Sequence, residues 1–158
     1  MTSKSEGAIK YPSARLKGLK EFMIFIQEPD WKPEKIDGNL MKRLGMAKGR
    51  ENETAYAIHF LGIIDSSGNP TDEFNNLKND YAATLSRLIK DKYSELFSLL
   101  PVRMINQLKL VNFFGPPTET AEYKAKLFVW LCKESGLELP NVEAKFHRAR
   151  FDKKKSEE

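Results

Sequence analysis

Cysteine and histidine are scarce in this sequence. Its single cysteine, Cys132, cannot form an internal disulfide, so a reducing compartment such as the cytoplasm is expected. The two histidines, His59 and His147, lie 73 residues before and 15 residues after this cysteine, and these intervals do not match the ligand spacing of zinc sites. The sequence therefore predicts neither a metal site nor a disulfide framework.

Long apolar runs are also missing. The longest, at 127–132 and 22–26, are far shorter than the roughly 20 residues that a membrane-spanning helix needs. The first ten residues, MTSKSEGAIK, contain no apolar segment of the kind found in secretory signals. We expect a cytoplasmic protein with no membrane partner.

Motifs for catalysis or for bound cofactors are not found either. The segment Gly45–Arg50 lacks the glycine spacing and the Lys-Ser/Thr ending of a phosphate-binding loop, and a plain turn is predicted. The segment Asp65–Gly68 lacks the alternating carboxylates and the terminal glutamate of a calcium loop. Glu51 and Glu53 could serve as acids or bases, but acidic residues in a first helical turn usually interact with the helix dipole. We therefore expect no enzymatic activity, no cofactor and no small-molecule substrate.

Helical periodicity dominates the sequence between these absences. Apolar residues recur at helical spacing, and four short polar side chains precede such stretches as predicted N-caps: Ser13, Asp37, Thr71 and Thr118. The expected fold class is mainly α, with a winged-helix-like N-terminal half of three helices and one short β-hairpin, followed by a C-terminal helical half. The predicted boundaries are a flexible N-terminus at 1–10, a winged-helix-like subdomain at 11–74, a helical subdomain packed on it at 75–140, and a basic, disordered tail at 141–158.

The stretch LGIIDSSGNPT, at 61–71, is the predicted hairpin. Gly62 is expected to end the third helix in the left-handed conformation, which glycine adopts without strain. The chain then extends through Ile63 and Ile64, turns at 66–68, and returns through Pro70. The hairpin should be short because Pro70 has no N–H to donate to a ladder.

One later segment, Val102–Phe114, is predicted as a single helix. Its Ile105, Leu108 and Val111 are spaced one turn apart and should share a buried face.

Several of these stretches resemble a known family. They are AIHFLGIIDSSGNPTDEF, with YPSARLKGLKEF before it and DKYSELFSLL and LVNFFG after it, over roughly residues 11–137. The chain is similar to an uncharacterised prokaryotic family, a domain of unknown function, whose members show a Leu-Gly-x-Ile-Asp-x-x-Gly-x-Pro-Thr signature. The resemblance implies a helical, winged-helix-like fold, and it carries no activity, cofactor or catalytic residue to this chain.

Charge is distributed unevenly along the chain. Residues 1–50 carry a formal charge of +5, residues 51–80 carry −5, and the last fifteen residues carry +3. The basic residues therefore concentrate at the two ends and flank an acidic block, which suggests a polyanion as one class of partner.

DNA binding is the first hypothesis that these features support. A winged helix places its third helix in the major groove and its basic flanks on phosphates. The candidate phosphate contacts are Lys42, Arg43, Lys48, Arg50 and the tail residues Lys153, Lys154 and Lys155, and the candidate contacts to base edges are Asn52, Thr54 and Tyr56. Glu51 and Glu53 argue against it, because they would be repelled by DNA at the leading end of that helix.

A protein interaction or assembly module without nucleic-acid binding is the second hypothesis. The +5 and −5 segments could pair between two copies, and an exposed Trp31 could anchor a partner. The simpler interpretation of Trp31 is a plug between helices, and that of the lysines is a solvated surface. The order of the elements and the basic ends together favour DNA.

Overall fold

The N-terminal half consists of three helices in the places where apolar periodicity predicts them. The structure is a computed structural model and describes residues 9–142. The helices are α1 (Leu16–Ile26), α2 (Gly38–Leu44) and α3 (Glu51–Phe60). Helix α2 and the helix that follows α3, α4 (Asp72–Asn79), both begin at predicted N-caps. The Asp37 carboxylate accepts the Leu40 N–H at 3.0 Å, and the Thr71 hydroxyl accepts the Glu73 N–H at 3.2 Å. The predicted cap at Ser13 is wrong, because α1 begins after Arg15 without a side-chain cap.

The second half is also helical. It contains α4 (Asp72–Asn79), α5 (Tyr81–Lys92), α6 (Ser94–Leu99), a 3₁₀ turn at Val102–Met104, α7 (Gln107–Phe114) and α8 (Glu119–Ser135). The long helix α8 packs against α5 and α7, and α4 packs against α5 and α1. The predicted cap of α8 is confirmed, because the Thr118 hydroxyl accepts the Ala121 N–H at 3.2 Å.

An aromatic cluster joins the two halves into one core. Tyr11, which precedes α1, stacks on the ring of Tyr93 with centroids 5.3 Å apart and meets Phe60 of α3 and Phe114 of α7 edge-on at 5.7 and 5.3 Å. Tyr93 in turn meets Phe128 of α8 at 4.9 Å. Rings packed in this way contribute beyond the area they bury, so this cluster couples the N-terminal and C-terminal helices.

Burial of two hydroxyl groups accompanies this cluster. The Tyr11 and Tyr93 hydroxyls are buried and have no hydrogen-bond partner within residues 9–142. Removal from water raises the pKa of Tyr11 to about 12 and also raises that of Tyr93, because the charged phenolate is disfavoured in an apolar surrounding.

The predicted β-hairpin does not form, so the winged-helix-like fold class is wrong while its mainly α character is confirmed. Residues 9–142 contain a single isolated bridge, between Ile64 and Pro70, and no strand. The Asp65 carboxylate accepts the N–H groups of Ser67 and Asn69, each at 2.9 Å, and closes the loop immediately beyond that bridge. On the other side α3 ends at Phe60 and α4 begins at Asp72, so the returning segment has only Thr71 between the bridge and α4, too little to extend a ladder.

Hydrogen bonds from its own backbone make this loop a structural corner. The Asn69 backbone N–H is the main reason that the pKa of Asp65 is lowered. The carbonyl of Gly68 accepts the Ile36 N–H at 2.7 Å, which ties the loop to the segment before α2.

The predicted single helix at 102–114 is also wrong. The Asn106 side chain accepts the Lys109 N–H at 2.8 Å and starts α7 anew after the 3₁₀ turn. The restart changes the register, so Leu108 is 68% exposed instead of buried, and Leu110 takes its place in the core.

Trp31 is a plug between helices. Its ring meets Phe22 and Phe25 of α1 edge-on at 5.8 and 5.1 Å and lies 6.0 Å from Phe74 of α4. The structure therefore supports the simpler of the two interpretations of this residue.

None of the helices within residues 9–142 combines the length and the apolar character needed to cross a bilayer.

We expect Gly62→Val to lower the free energy of unfolding by roughly 1–2 kcal/mol, because a β-branched residue is strained at positive φ. Gly62 has φ +87°, and the N–H groups of Gly62 and Ile63 cap α3 by donating to His59 and Ile58. A new Cβ would meet only the Lys92 side chain, at 3.6 Å, so backbone strain and not a clash sets the loss.

Urea unfolding measures this loss, and Gly62→Asn is the matched control. Asparagine tolerates the left-handed region, so its loss should be clearly smaller. Equal stability of the valine variant and the wild-type protein would contradict the assigned conformation.

Candidate nucleic-acid interface

The loop between α2 and α3, Gly45–Arg50, has an unusual backbone. Gly45, Ala47 and Gly49 all have positive φ, at +68°, +54° and +80°. The Ala47 N–H donates to Glu21 Oε1 at 2.9 Å, and the Gly49 N–H donates to Glu51 Oε2 at 3.1 Å. Backbone amides arranged in such turns form concavities that bind anions. Each of these two amides already holds a carboxylate oxygen of the chain itself.

A close approach of α1 holds this loop in place. A Cβ added at Gly18 would lie 2.5 Å from Ala47 Cβ and 2.7 Å from Thr54 Oγ1. Only a glycine lets α1, the loop and α3 meet at this distance. Ala47 is the sole non-glycine residue with positive φ in the described part of the chain, and it is 4% exposed. Packing therefore maintains a conformation that alanine by itself disfavours.

Four basic side chains converge on the cavity beside this contact. The cavity has a volume of about 350 Å³, and its charged lining residues are Arg15 and Lys17 from the start of α1, Lys48 and Arg50 from the loop, and the carboxylate Glu21. The loop residues were predicted as phosphate contacts, and the tertiary structure places two further cations beside them. The sequence does not predict Arg15 and Lys17 as part of this site. They are far from Lys48 along the chain, and only the packing of α1 on the loop brings them to the same cavity.

The two arginines are partly neutralised. Glu53 accepts the Arg15 backbone N–H at 2.7 Å and its side-chain Nη1 at 3.3 Å, and Arg50 Nη1 lies 3.9 Å from the same carboxylate. The Arg15 guanidinium also lies 4.1 Å from the centre of the Tyr123 ring. The Glu53 carboxylate is therefore paired with two arginines of the chain itself.

The remaining cations near this loop are free of salt bridges. Lys17, Lys42, Arg43 and Lys48 are exposed and have no ion pair or hydrogen bond from their side chains among residues 9–142. Lys42 and Arg43 lie in the last turn of α2, directly before the loop. We call these four residues together with Arg15 and Arg50 the basic face.

Glu51 is likewise held by the protein. Its pKa is lowered because the backbone N–H groups of Glu51 and Gly49 donate to the carboxylate, with a smaller contribution from the charge of Lys42. The two acidic residues that argued against DNA binding therefore stabilise the loop and the start of α3.

The residues predicted to contact base edges do not lie together on the basic face. Thr54 is fully buried against Gly18, and its prediction as a base contact is wrong because the helical period turns it toward the core with Ala57. Asn52 and Tyr56 are exposed, but they line a separate groove of about 520 Å³ that faces the 64–68 loop. The Tyr56 hydroxyl donates to the Lys10 carbonyl at 2.6 Å.

Three of the predicted residues belong to a part of the chain that the structure does not describe. Lys153, Lys154 and Lys155 are outside the described residues.

Among residues 9–142 no group of three or more His, Cys, Asp or Glu side chains is placed to hold a metal ion. Cys132 is fully buried, and burial raises the pKa of its thiol to about 12, which keeps it protonated and unreactive.

These observations define a class: an α-helical domain with a basic face beside a loop whose backbone holds two carboxylates of the chain itself. The chain belongs to a family of unknown function, DUF5343, whose family model matches residues 14–126. The match includes α1, the loop and α3, and hence every residue of the basic face. Comparison with curated proteins and with solved structures found no match. The signature motif and the prokaryotic origin that the resemblance implies stay predictions.

We expect Gly18→Ala to lower the free energy of unfolding by roughly 1–3 kcal/mol, because its Cβ would overlap Ala47 and Thr54. Adding Ala47→Gly should recover part of the loss, since it removes the nearer clashing atom and relaxes the backbone at positive φ. Thermal and urea unfolding of the two single variants and the double variant measure this coupling. Independent, additive effects would contradict the close contact.

Proposed function

We propose that this domain binds DNA through the sugar–phosphate backbone, using the basic face. The observation that carries the proposal is the convergence of Arg15 and Lys17 with Lys48 and Arg50 around one cavity whose lining includes a single carboxylate, Glu21. Segments far apart in sequence thus contribute charge of one sign to one surface. Such a surface attracts a polyanion and releases its counterions.

The arrangement favours binding without sequence preference. The free cations, Lys17, Lys42, Arg43 and Lys48, are suited to phosphates, and lysine acts there as a point charge. The two arginines share Glu53, which limits their ability to form paired hydrogen bonds with guanine. The exposed polar residues of α3, Asn52 and Tyr56, line a different groove. Base-edge contacts therefore form no part of this proposal.

The salt dependence of DNA binding tests it. Four free cations on phosphates should give a slope of about −3.6 in a plot of log K against log salt concentration, since each contact contributes about −0.9. The double variant Lys17→Gln, Lys48→Gln should flatten this slope by about 1.8. Fluorescence anisotropy with a duplex of arbitrary sequence, repeated with a second sequence, measures both slope and specificity.

The matched control is Lys90→Gln, Lys133→Gln. Both lysines are exposed, lie on α5 and α8, and change the net charge by the same amount. An equal flattening in the control would show that net charge, and not the basic face, drives binding. Absence of salt-dependent binding at low ionic strength would refute DNA binding outright.

Self-association is a second candidate function, and a separate observation favours it. Leu99, Met104 and Leu108, which lie within ten residues at the corner between α6 and α7, are 62%, 48% and 68% exposed. Contiguous exposed apolar patches mark contact surfaces between proteins, and we propose that these three side chains contribute to one. The basic face is made of other elements, so the two functions are separable by substitution.

We expect light scattering to show a mass that rises with protein concentration, and the variant Leu99→Gln, Leu108→Gln to remain monomeric over the same range. DNA affinity at low protein concentration should not change in this variant. Ile24→Gln is the control, because Ile24 is 64% exposed on α1 away from this corner. A wild-type protein that stays monomeric throughout would refute self-association.

A further inference from the structure

One hydrogen bond in the cavity of the basic face has no role in the proposed function. Ala47 lines the cavity, and its backbone N–H donates to the Glu21 carboxylate, which lines the cavity as well. A carboxylate oxygen and a phosphate oxygen are acceptors of the same kind for a backbone amide. The Glu21 carboxylate therefore occupies the position at the Ala47 N–H that an oxygen of a bound anion would take.

The backbone at Ala47 is what directs this amide. Its φ of +54° is maintained by the contact with Gly18, although alanine disfavours that conformation. An observed backbone outlier of this kind supports a functional role for the group it positions. Here the positioned group is a hydrogen-bond donor in the wall of a positively charged cavity.

The free charge of the cavity matches a phosphate monoester. The four cations of the lining face two carboxylates, Glu21 in the lining and Glu53 shared by the two arginines, which leaves a net charge of +2. Lys17 and Lys48 are the cations of the lining that have no partner among residues 9–142. A monoester carries a charge of about −1.5 to −2 at pH 7, because its second pKa is about 6. A phosphodiester carries a single negative charge and would leave one positive charge of the cavity uncompensated.

The shape of the cavity favours the same group. Its volume of about 350 Å³ is at the lower end of the range of about 300–1,000 Å³ for small-ligand pockets. The walls are the start of α1 on one side and the 45–50 loop on the other. A phosphate monoester has one ester substituent that must extend out of such a cavity. A phosphodiester within a strand has two, and both must extend out of it.

We infer that this cavity binds a phosphate monoester, with the Ala47 N–H, Lys17 and Lys48 as its ligands and with Glu21 as the internal carboxylate that it displaces. The inference rests on the proposed function, and it adds that strand ends bearing a terminal phosphate bind more tightly than the interior of the duplex. The same chemistry would accept the phosphate of a free nucleotide, and the test separates these two sources.

Binding of two short duplexes of identical sequence tests the inference. One carries 5′-phosphates and the other 5′-hydroxyl groups, and fluorescence anisotropy with the full chain measures both affinities. We expect the phosphorylated duplex to bind about tenfold more tightly, because a further charge is neutralised in a partly enclosed site. Lys17→Gln and Lys48→Gln should each reduce this ratio toward one. Lys20→Gln is the control, since Lys20 is exposed on α1 but does not line the cavity.

Glu21→Gln gives a change in the opposite direction. The glutamine side-chain oxygen can still accept the Ala47 N–H, so the loop should keep its conformation, while the competing negative charge is removed. The preference for the phosphorylated duplex should then increase by about fivefold or more. Glu34→Gln, an exposed glutamate outside the cavity, should leave the preference unchanged. A melting curve checks the fold, and the lysine variants test the cavity independently of it.

The outcomes separate this inference from the proposed function. If both duplexes bind equally, with the salt slope of the basic face, DNA binding stands and the monoester site is refuted. If neither duplex binds, but inorganic phosphate raises the melting temperature relative to chloride at equal ionic strength and Lys48→Gln abolishes that rise, the cavity binds phosphate and DNA binding is refuted. If a nucleoside monophosphate removes the preference of the wild-type protein, the free nucleotide is also a ligand.

Discussion

The close contact at Gly18 is the constraint on which the basic face depends. With no side chain at this position, α1 lies against Ala47 of the loop and Thr54 of α3 at distances that any Cβ would prevent. That contact fixes the unusual backbone of Ala47 and presents its N–H to Glu21. It also brings the basic start of α1 beside the basic loop. Packing without a side chain thereby assembles the charges from which we propose DNA binding.

Charge pairing within the chain explains why an acidic helix start can border a basic surface. Arg15 and Arg50 belong to the segment with a charge of +5 and pair with Glu53 of the −5 segment. Glu73 of the −5 segment pairs with Arg87 of α5, which lowers the pKa of that carboxyl to about 2. Opposite segments thus meet within one molecule, and pairing between two copies is not needed to satisfy these acids. Of the basic face, Lys17, Lys42, Arg43 and Lys48 have no ion pair among residues 9–142.

Local signals in the sequence predicted much of the fold. Asp37, Thr71 and Thr118 cap their helices and Gly62 ends α3 because each of these effects depends on a few neighbouring residues. Three other predictions from equally local patterns were wrong. Ser13 does not cap α1, and the hairpin at 63–71 is replaced by a loop closed on Asp65. Leu108 points outward because Asn106 starts a new helix.

The sequence by itself determined the mainly α class, most helix ends and the presence of basic residues before α3, since capping and periodicity act over one or two turns. It could also suggest Lys42, Arg43, Lys48 and Arg50 as candidates, because they are adjacent in the chain. Only the tertiary structure decided that Arg15 and Lys17 join them, that Thr54 is buried, and that Glu51 and Glu53 are engaged internally. These features arise where α1 crosses the loop, between residues about thirty positions apart, and no local pattern encodes which side chains meet there.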